Sequence, residues 1–235
     1  MKLLPSACLC LLLLLCKAAA AEDEPTPTVE ERRATAVREA FVAKDEAQRT
    51  ALLAQARPDP WVIAETLRRR GALDAALWWA AGLNKAEEQA LRSYLEGLRE
   101  APIDERAWAT LAEAKKHAGA RQREEALKVL VDFAPDPKTV IGIEILSGRG
   151  ELLVILRRIR ECAARLEAAG RAAERIGWRR RAQHNLHKAG QARWTVNDYA
   201  ACEPLFTAAR DHARALGLPA AEGISCYMLG LTLDT

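Results

Sequence analysis

His184 and His187 stand three positions apart in a helical stretch, a spacing that puts both imidazoles on one face, as a metal site requires. A third ligand would have to come from Cys226, His212 or an acid, and none stands at a diagnostic spacing. No metal ion is therefore expected. Cys162, Cys202 and Cys226 invite a different chemistry, a thiolate nucleophile beside a base. Cys162 and Cys202 fall where the helical pattern places small core residues, so packing is the expected role. Cys202 and Cys226 lie on successive helices, which leaves one optional disulfide open. The chain holds no phosphate-binding glycine loop, dinucleotide fingerprint, nucleophile elbow, HExxH or EF-hand pattern. No catalytic residue and no cofactor are expected.

Trp61, Trp108 and Trp178 sit near helix starts and read as core or inter-repeat packing. Trp78 and Trp79 differ by about 100° on a helix, so one of them should sit at an inter-helix contact or on the surface. Arg68-Arg69-Arg70, Arg157-Arg158 with Arg160, and Arg179-Arg180-Arg181 read as solvated basic clusters, two of them near helix ends, where cations suit the dipole.

The elements that must carry these residues follow from composition. Of 235 residues, 47 are alanine, and Leu, Arg and Glu make up much of the rest, all strong helix formers. Thr, Tyr, Phe, Ile and Val are sparse, which argues against a sheet. An all-α protein is expected. Residues 1–21 read as a secretory signal: Lys2, an apolar core from Ala7 to Cys16, then small residues up to Ala21. That run is too short for a membrane span, so contact with a membrane is expected only during export. Cleavage near Ala21 would deliver a periplasmic or extracellular chain with 33 basic and 32 acidic residues. Such an even balance gives no global reason to bind nucleic acid.

Residues 22–28 read as a flexible entry, and 29–57 are expected to give one long helix with a mostly apolar stripe, closed by Arg57-Pro58-Asp59-Pro60. Residues 58–137 read as degenerate helical hairpins: Trp61 to Arg70, Leu73 to Leu83, Lys85 to Glu100, a helix starting at Pro102, and Arg123 to Phe133. Pro135-Asp136-Pro137 marks a break. The strongest signal lies in 138–235, where Gly150, Gly190 and Gly230 recur at one constant interval. Cys162 falls in register with Cys202, Leu166 with Phe206, Ala169 with Ala209, and Ile176-Gly177 with Leu216-Gly217. The units are 143–182, 183–222 and an incomplete 223–235. Each is a helical hairpin that cannot bury its apolar face alone, so neighbours must stack. The glycine inside each first helix is tolerated if a neighbouring helix packs against bare backbone there. Gly177 and Gly217 are expected as left-handed caps.

These residues resemble the tetratricopeptide repeat family. Leu186, Ala189 and Gly190 match its first-helix pattern, Asn197-Asp198-Tyr199 its polar turn and aromatic, and Cys202, Phe206 and Ala209 its second helix. The 40-residue period is similar to the extended variety ending in an apolar-Gly-x-Pro stop, here Leu216 to Pro219. Arg193, Cys202 and the Arg157-Arg158-Ile159 turn depart from the pattern. The resemblance implies a right-handed superhelical solenoid of antiparallel hairpins. It also implies a concave groove, formed by Glu144, Ser147 and Glu151, by His184, His187, Gln191 and Trp194, and by Tyr227. Such a strip suits a protein or peptide. The expected function is thus an exported interaction module with no chemistry of its own. The array is also similar to those preceding caspase-like (CHAT) peptidase domains in bacterial proteins. With Met228, Leu229, Leu231 and Leu233 uncovered, the alternative is the regulatory front part of a longer enzyme.

Overall fold

The computed structural model describes residues 29–43, 59–81, 83 and 85–233. The expected signal segment, the entry linker and the rest of the long first helix fall outside them. Among the described residues there are eleven α-helices and no strand. They are α1 (Val29–Val42), α2 (Pro60–Arg69), α3 (Leu73–Ala81), α4 (Lys85–Gly97), α5 (Glu105–Gly119) and α6 (Arg123–Val131). The second half contains α7 (Val140–Ile155), α8 (Ile159–Ile176), α9 (Arg179–Thr195), α10 (Tyr199–Ala215) and α11 (Pro219–Leu233). No helix among the described residues is long and apolar enough to cross a membrane.

Local chemistry fixes the ends. Asp59 caps α2 by accepting from the Trp61 N–H at 3.1 Å, with Pro60 in the first turn, where its missing N–H costs nothing. Asp104 caps α5 in the same way through Ala107, so that helix begins at Glu105 and not at Pro102. Thr139 caps α7 through Gly142.

The corners share one design. Gly71, Arg121, Arg157, Gly177, Asn197 and Gly217 all have positive φ. After each, the next N–H reaches a carbonyl in the last turn of the preceding helix, as Arg158 to Leu153, Trp178 to Ala173, Asp198 to Arg193 and Leu218 to Ala213. Those last four recur at a constant step, half the period of the repeat. The two glycine caps match expectation. Asn197 falls in the expected polar turn and tolerates the left-handed region well, whereas Arg121 and Arg157 were not foreseeable, since such a side chain costs roughly 1–2 kcal/mol there.

Packing in the second half is equally regular. Trp194 meets Tyr199 with ring centroids 6.4 Å apart, the Cys202 thiol reaches the Gly190 carbonyl at 3.5 Å, and His187 tilts onto Phe206 at 5.4 Å. As one number falls the other rises, so α9 and α10 run antiparallel. The glycines admit the large side chains of the following helix. A Cβ on Gly150 would stand 2.5 Å from Leu166, one on Gly190 2.6 Å from Phe206, and one on Gly170 2.7 Å from Leu186. Burying such a side chain stabilises the fold by about 1.5–3 kcal/mol.

The first half does not continue that step. Trp61 of α2 stacks on Trp178 at the α8–α9 corner, centroids 5.9 Å apart, and α4 presses Ala90 against Gly177. Trp178 and Trp61 are both fully buried core, as expected. Trp78 and Trp79 are each half-buried, Trp78 edge-on to Phe41 and Trp79 donating to the Pro60 carbonyl. The expectation of a solvated Arg68–Arg70 cluster is corrected for Arg68 alone, since Arg70 is exposed and Arg69 partly so. Arg68 pairs with buried Glu65 at 2.7 Å and donates to the Leu98 and Ala101 carbonyls, Arg69 pairs with Glu105, and Arg70 with Glu31. Each arginine reaches a different element because successive residues on a helix point about 100° apart.

Candidate functional site

The first helices of the array, α7, α9 and α11, are joined side by side through side chains. The Ser147 hydroxyl accepts from the Asn185 amide at 2.7 Å, and His187 Nδ1 meets the Ser225 hydroxyl at 3.2 Å. The second pair occupies the positions of the first, shifted by one repeat. Between the second helices, His212 Nε2 meets Glu174 at 2.9 Å. Three polar bridges thus hold neighbouring hairpins at one step.

Glu144 of α7 pairs with Arg181 of α9, whose guanidinium also lies over the Trp178 ring at 5.3 Å. Burial pulls Arg181 below its ordinary range, opposed by the charge of Asp59, and burial likewise raises the Asp59 carboxyl against the pull of Arg181. Further along α7, Glu151 faces His184 at 3.5 Å and Lys188 at 3.8 Å. The His184 hydrogen bond and the Lys188 charge hold its carboxyl below the usual range, overcoming the opposing effect of burial. Burial, with help from His184, pushes His187 below its ordinary value.

Two cavities open along this row. One, of about 230 Å³, is lined by Leu111 and Lys115 of α5 and by Glu144, Glu151, Ile155 and Arg181. The other, of about 440 Å³, is lined by Val154, Lys188, Gln191, Trp194 and Met228. The Glu151–Lys188 pair has one member in each. Val154 and Ile155 are exposed, and the Trp194 indole N–H has no hydrogen-bond partner. Acid, base, amide and apolar surface therefore converge within one strip, an arrangement that can grip a polypeptide through backbone and side chain together.

The residues expected in the groove are placed unequally. Glu144, Glu151, Gln191 and Trp194 line the two cavities. Ser147 borders the first but is buried, its hydroxyl taken by Asn185. His184 and His187 diverge, one reaching back to Glu151 and the other forward to Ser225 and Phe206. Tyr227 is exposed and borders neither cavity. Arg181, Lys188, Asn185 and Met228 are additions that sequence reasoning missed. Arg181 belongs to a basic run that reads as solvated, and Asn185 has no periodic signature, because its partner Ser147 stands on another helix.

No group of three possible metal ligands occurs among the described residues. The three thiols there are free. Cys162 and Cys202 are fully buried, and burial pushes both thiols up, which suits packing and opposes a thiolate. Cys226 is exposed. The chain matches no protein-family model and no curated protein.

Proposed function

We propose that the chain is an exported scaffold of the tetratricopeptide kind, a right-handed superhelical solenoid that binds a protein or peptide along its inner row of first helices and performs no covalent chemistry. The observation that carries this reading is the pair of adjoining cavities flanking Glu151 and Lys188, where Trp194, Val154 and Met228 offer apolar surface beside Gln191 and the ionic cluster. A mixed polar and aromatic lining of this kind rewards an extended or helical segment with both charged and apolar side chains. Export is read from the basic, apolar and small-residue order of residues 1–21.

The test is a quantitative pull-down with the chain and with a His184→Ala/Trp194→Ala double variant, both checked for unchanged unfolding. Both positions are partly exposed, so the variant should fold. Loss of specific partners from the variant is expected. Equal recovery of the same partners would remove the row from contention.

A further inference from the structure

Arg179, Arg180 and Arg181 occupy the first turn of α9, with no acidic residue there and no side-chain cap. Cations oppose the helix dipole at that end, so the three charges stand against local preference. Arg181 lines a polar cavity of about 140 Å³ together with Arg33 of α1, Asp59 and Glu144, walled by Val62 and Ile63 of α2. Arg33 and Asp59 have no part in the inner row, so the cavity adds a region to it.

The hydrogen-bonding groups of this cavity are unevenly engaged. Asp59 accepts from the Trp61 N–H, and Glu144 accepts from Arg181 Nη2. The Arg181 Nε–H is buried and, like the half-buried Arg33 guanidinium, has no partner among the described residues. The groups left over are therefore donors on two guanidinium groups, and a buried donor is costly to leave unmet. Charge gives the same answer. Arg180 acts on Asp59 through its charge, so Arg33, Arg180 and Arg181 are balanced only by Asp59 and Glu144. The uncompensated positive charge matches a monovalent anion and not a phosphate dianion. A carboxylate suits it best, because its planar pair of oxygens accepts from two guanidinium groups together.

We infer that Arg33 and Arg181 form a site for a carboxylate, supplied by an aspartate or glutamate side chain of the bound polypeptide. The source of the carboxylate rests on the inner-row reading. Glu144 and Arg181 border this cavity and the one of about 230 Å³ alike, so a segment lying in the row has the site within reach.

The test follows the Arg181 Nε–H resonance of the whole chain by NMR, assigned through its own side chain. The probes, titrated at constant ionic strength, are acetate and the end-blocked tripeptides Gly-Glu-Gly and Gly-Gln-Gly. Acetate should shift the signal saturably and chloride should not. The glutamate peptide should bind about tenfold more tightly than the glutamine peptide, a difference of about 1.4 kcal/mol. Arg33→Gln replaces a half-buried residue with no partner among the described residues, so it should unfold like the parent while weakening acetate and the glutamate peptide about tenfold. The His184→Ala/Trp194→Ala variant should leave the acetate shift unchanged, so a failed inner row and a failed carboxylate site are told apart. No saturable shift with acetate, or one that Arg33→Gln leaves unchanged, would overturn the site. Acetate binding without preference for the glutamate peptide would overturn the side-chain source and leave a free small carboxylate as the ligand.

Discussion

Between Pro60 and Val131 the helices are held by contacts that occur once each. Glu65 holds Arg68 and accepts from the Tyr94 hydroxyl at 3.2 Å, and that hydroxyl in turn accepts from the Val140 N–H at 3.0 Å. From Val140 to Leu233 the contacts repeat instead: a glycine against the next helix's knob, a polar bridge between hairpins, a left-handed corner at every half period. The difference shows two ways of fixing helices that share the same alanine-rich composition. A unique polar lock specifies one arrangement and fails as a unit when a member is removed. A repeated socket specifies a step, and each instance fails by itself.

The largest expected effect follows from the lock. Glu65 is 1% exposed, and Glu65→Ala would strand the Arg68 guanidinium and leave the Tyr94 hydroxyl without its acceptor. A loss of about 3–5 kcal/mol is expected from urea unfolding. A loss below about 1 kcal/mol would erase the distinction between the two halves, because a surface pair is worth no more. Next comes a bridge in the array. Ser147→Ala leaves the buried Asn185 amide unpaired, at an expected cost of about 1–3 kcal/mol by the same measurement. The equivalent bridge, His187 to Ser225, should be unaffected, so the combination with His187→Gln should be close to additive.

The smallest effect is set by pH. His187 is held below its ordinary value in the folded chain, so the unfolded chain takes up that proton first on acidification. Stability is then lost as pH falls from just above the ordinary histidine value toward the folded one. His187→Gln should flatten the thermal unfolding profile in that window. Glu151, whose carboxyl is lowered, acts further down: its contribution is present above the ordinary carboxylate value and disappears as pH falls through the folded one.

The regular half was the legible half. The evenly spaced Gly150, Gly190 and Gly230, the Cys162 and Cys202 pair and the apolar-Gly stops announced the helices, although α7, α9 and α11 begin three to four residues before the expected unit starts at 143, 183 and 223. The shorter step, from corner to corner, carries no sequence signal because its corners alternate between glycine and Arg157 or Asn197, which share a conformation but no chemistry. Of the candidate site, Glu144 and Glu151 on α7 and Gln191 and Trp194 on α9 came from the resemblance to the repeat family, which assigns those faces of the first helices to a groove, and they line the two cavities. The burial of Ser147 and the roles of Arg181 and Lys188 were not, because each depends on a partner on a different helix, far away in the sequence. The front half gave still less. Trp61 on Trp178 and Ala90 on Gly177 join distant segments through shape alone.

The most direct measurement compares one substitution at two register-equivalent glycines. Gly190→Ala places a methyl 2.6 Å from the Phe206 ring, whereas Gly230→Ala places it in open space. Overpacking costs about 1–3 kcal/mol, and replacing a helical glycine by alanine gains roughly 1 kcal/mol. Urea unfolding should therefore show Gly190→Ala destabilised and Gly230→Ala stabilised by up to about 1 kcal/mol. Shifts of the same sign and size at both positions would contradict the constant step that relates α7, α9 and α11.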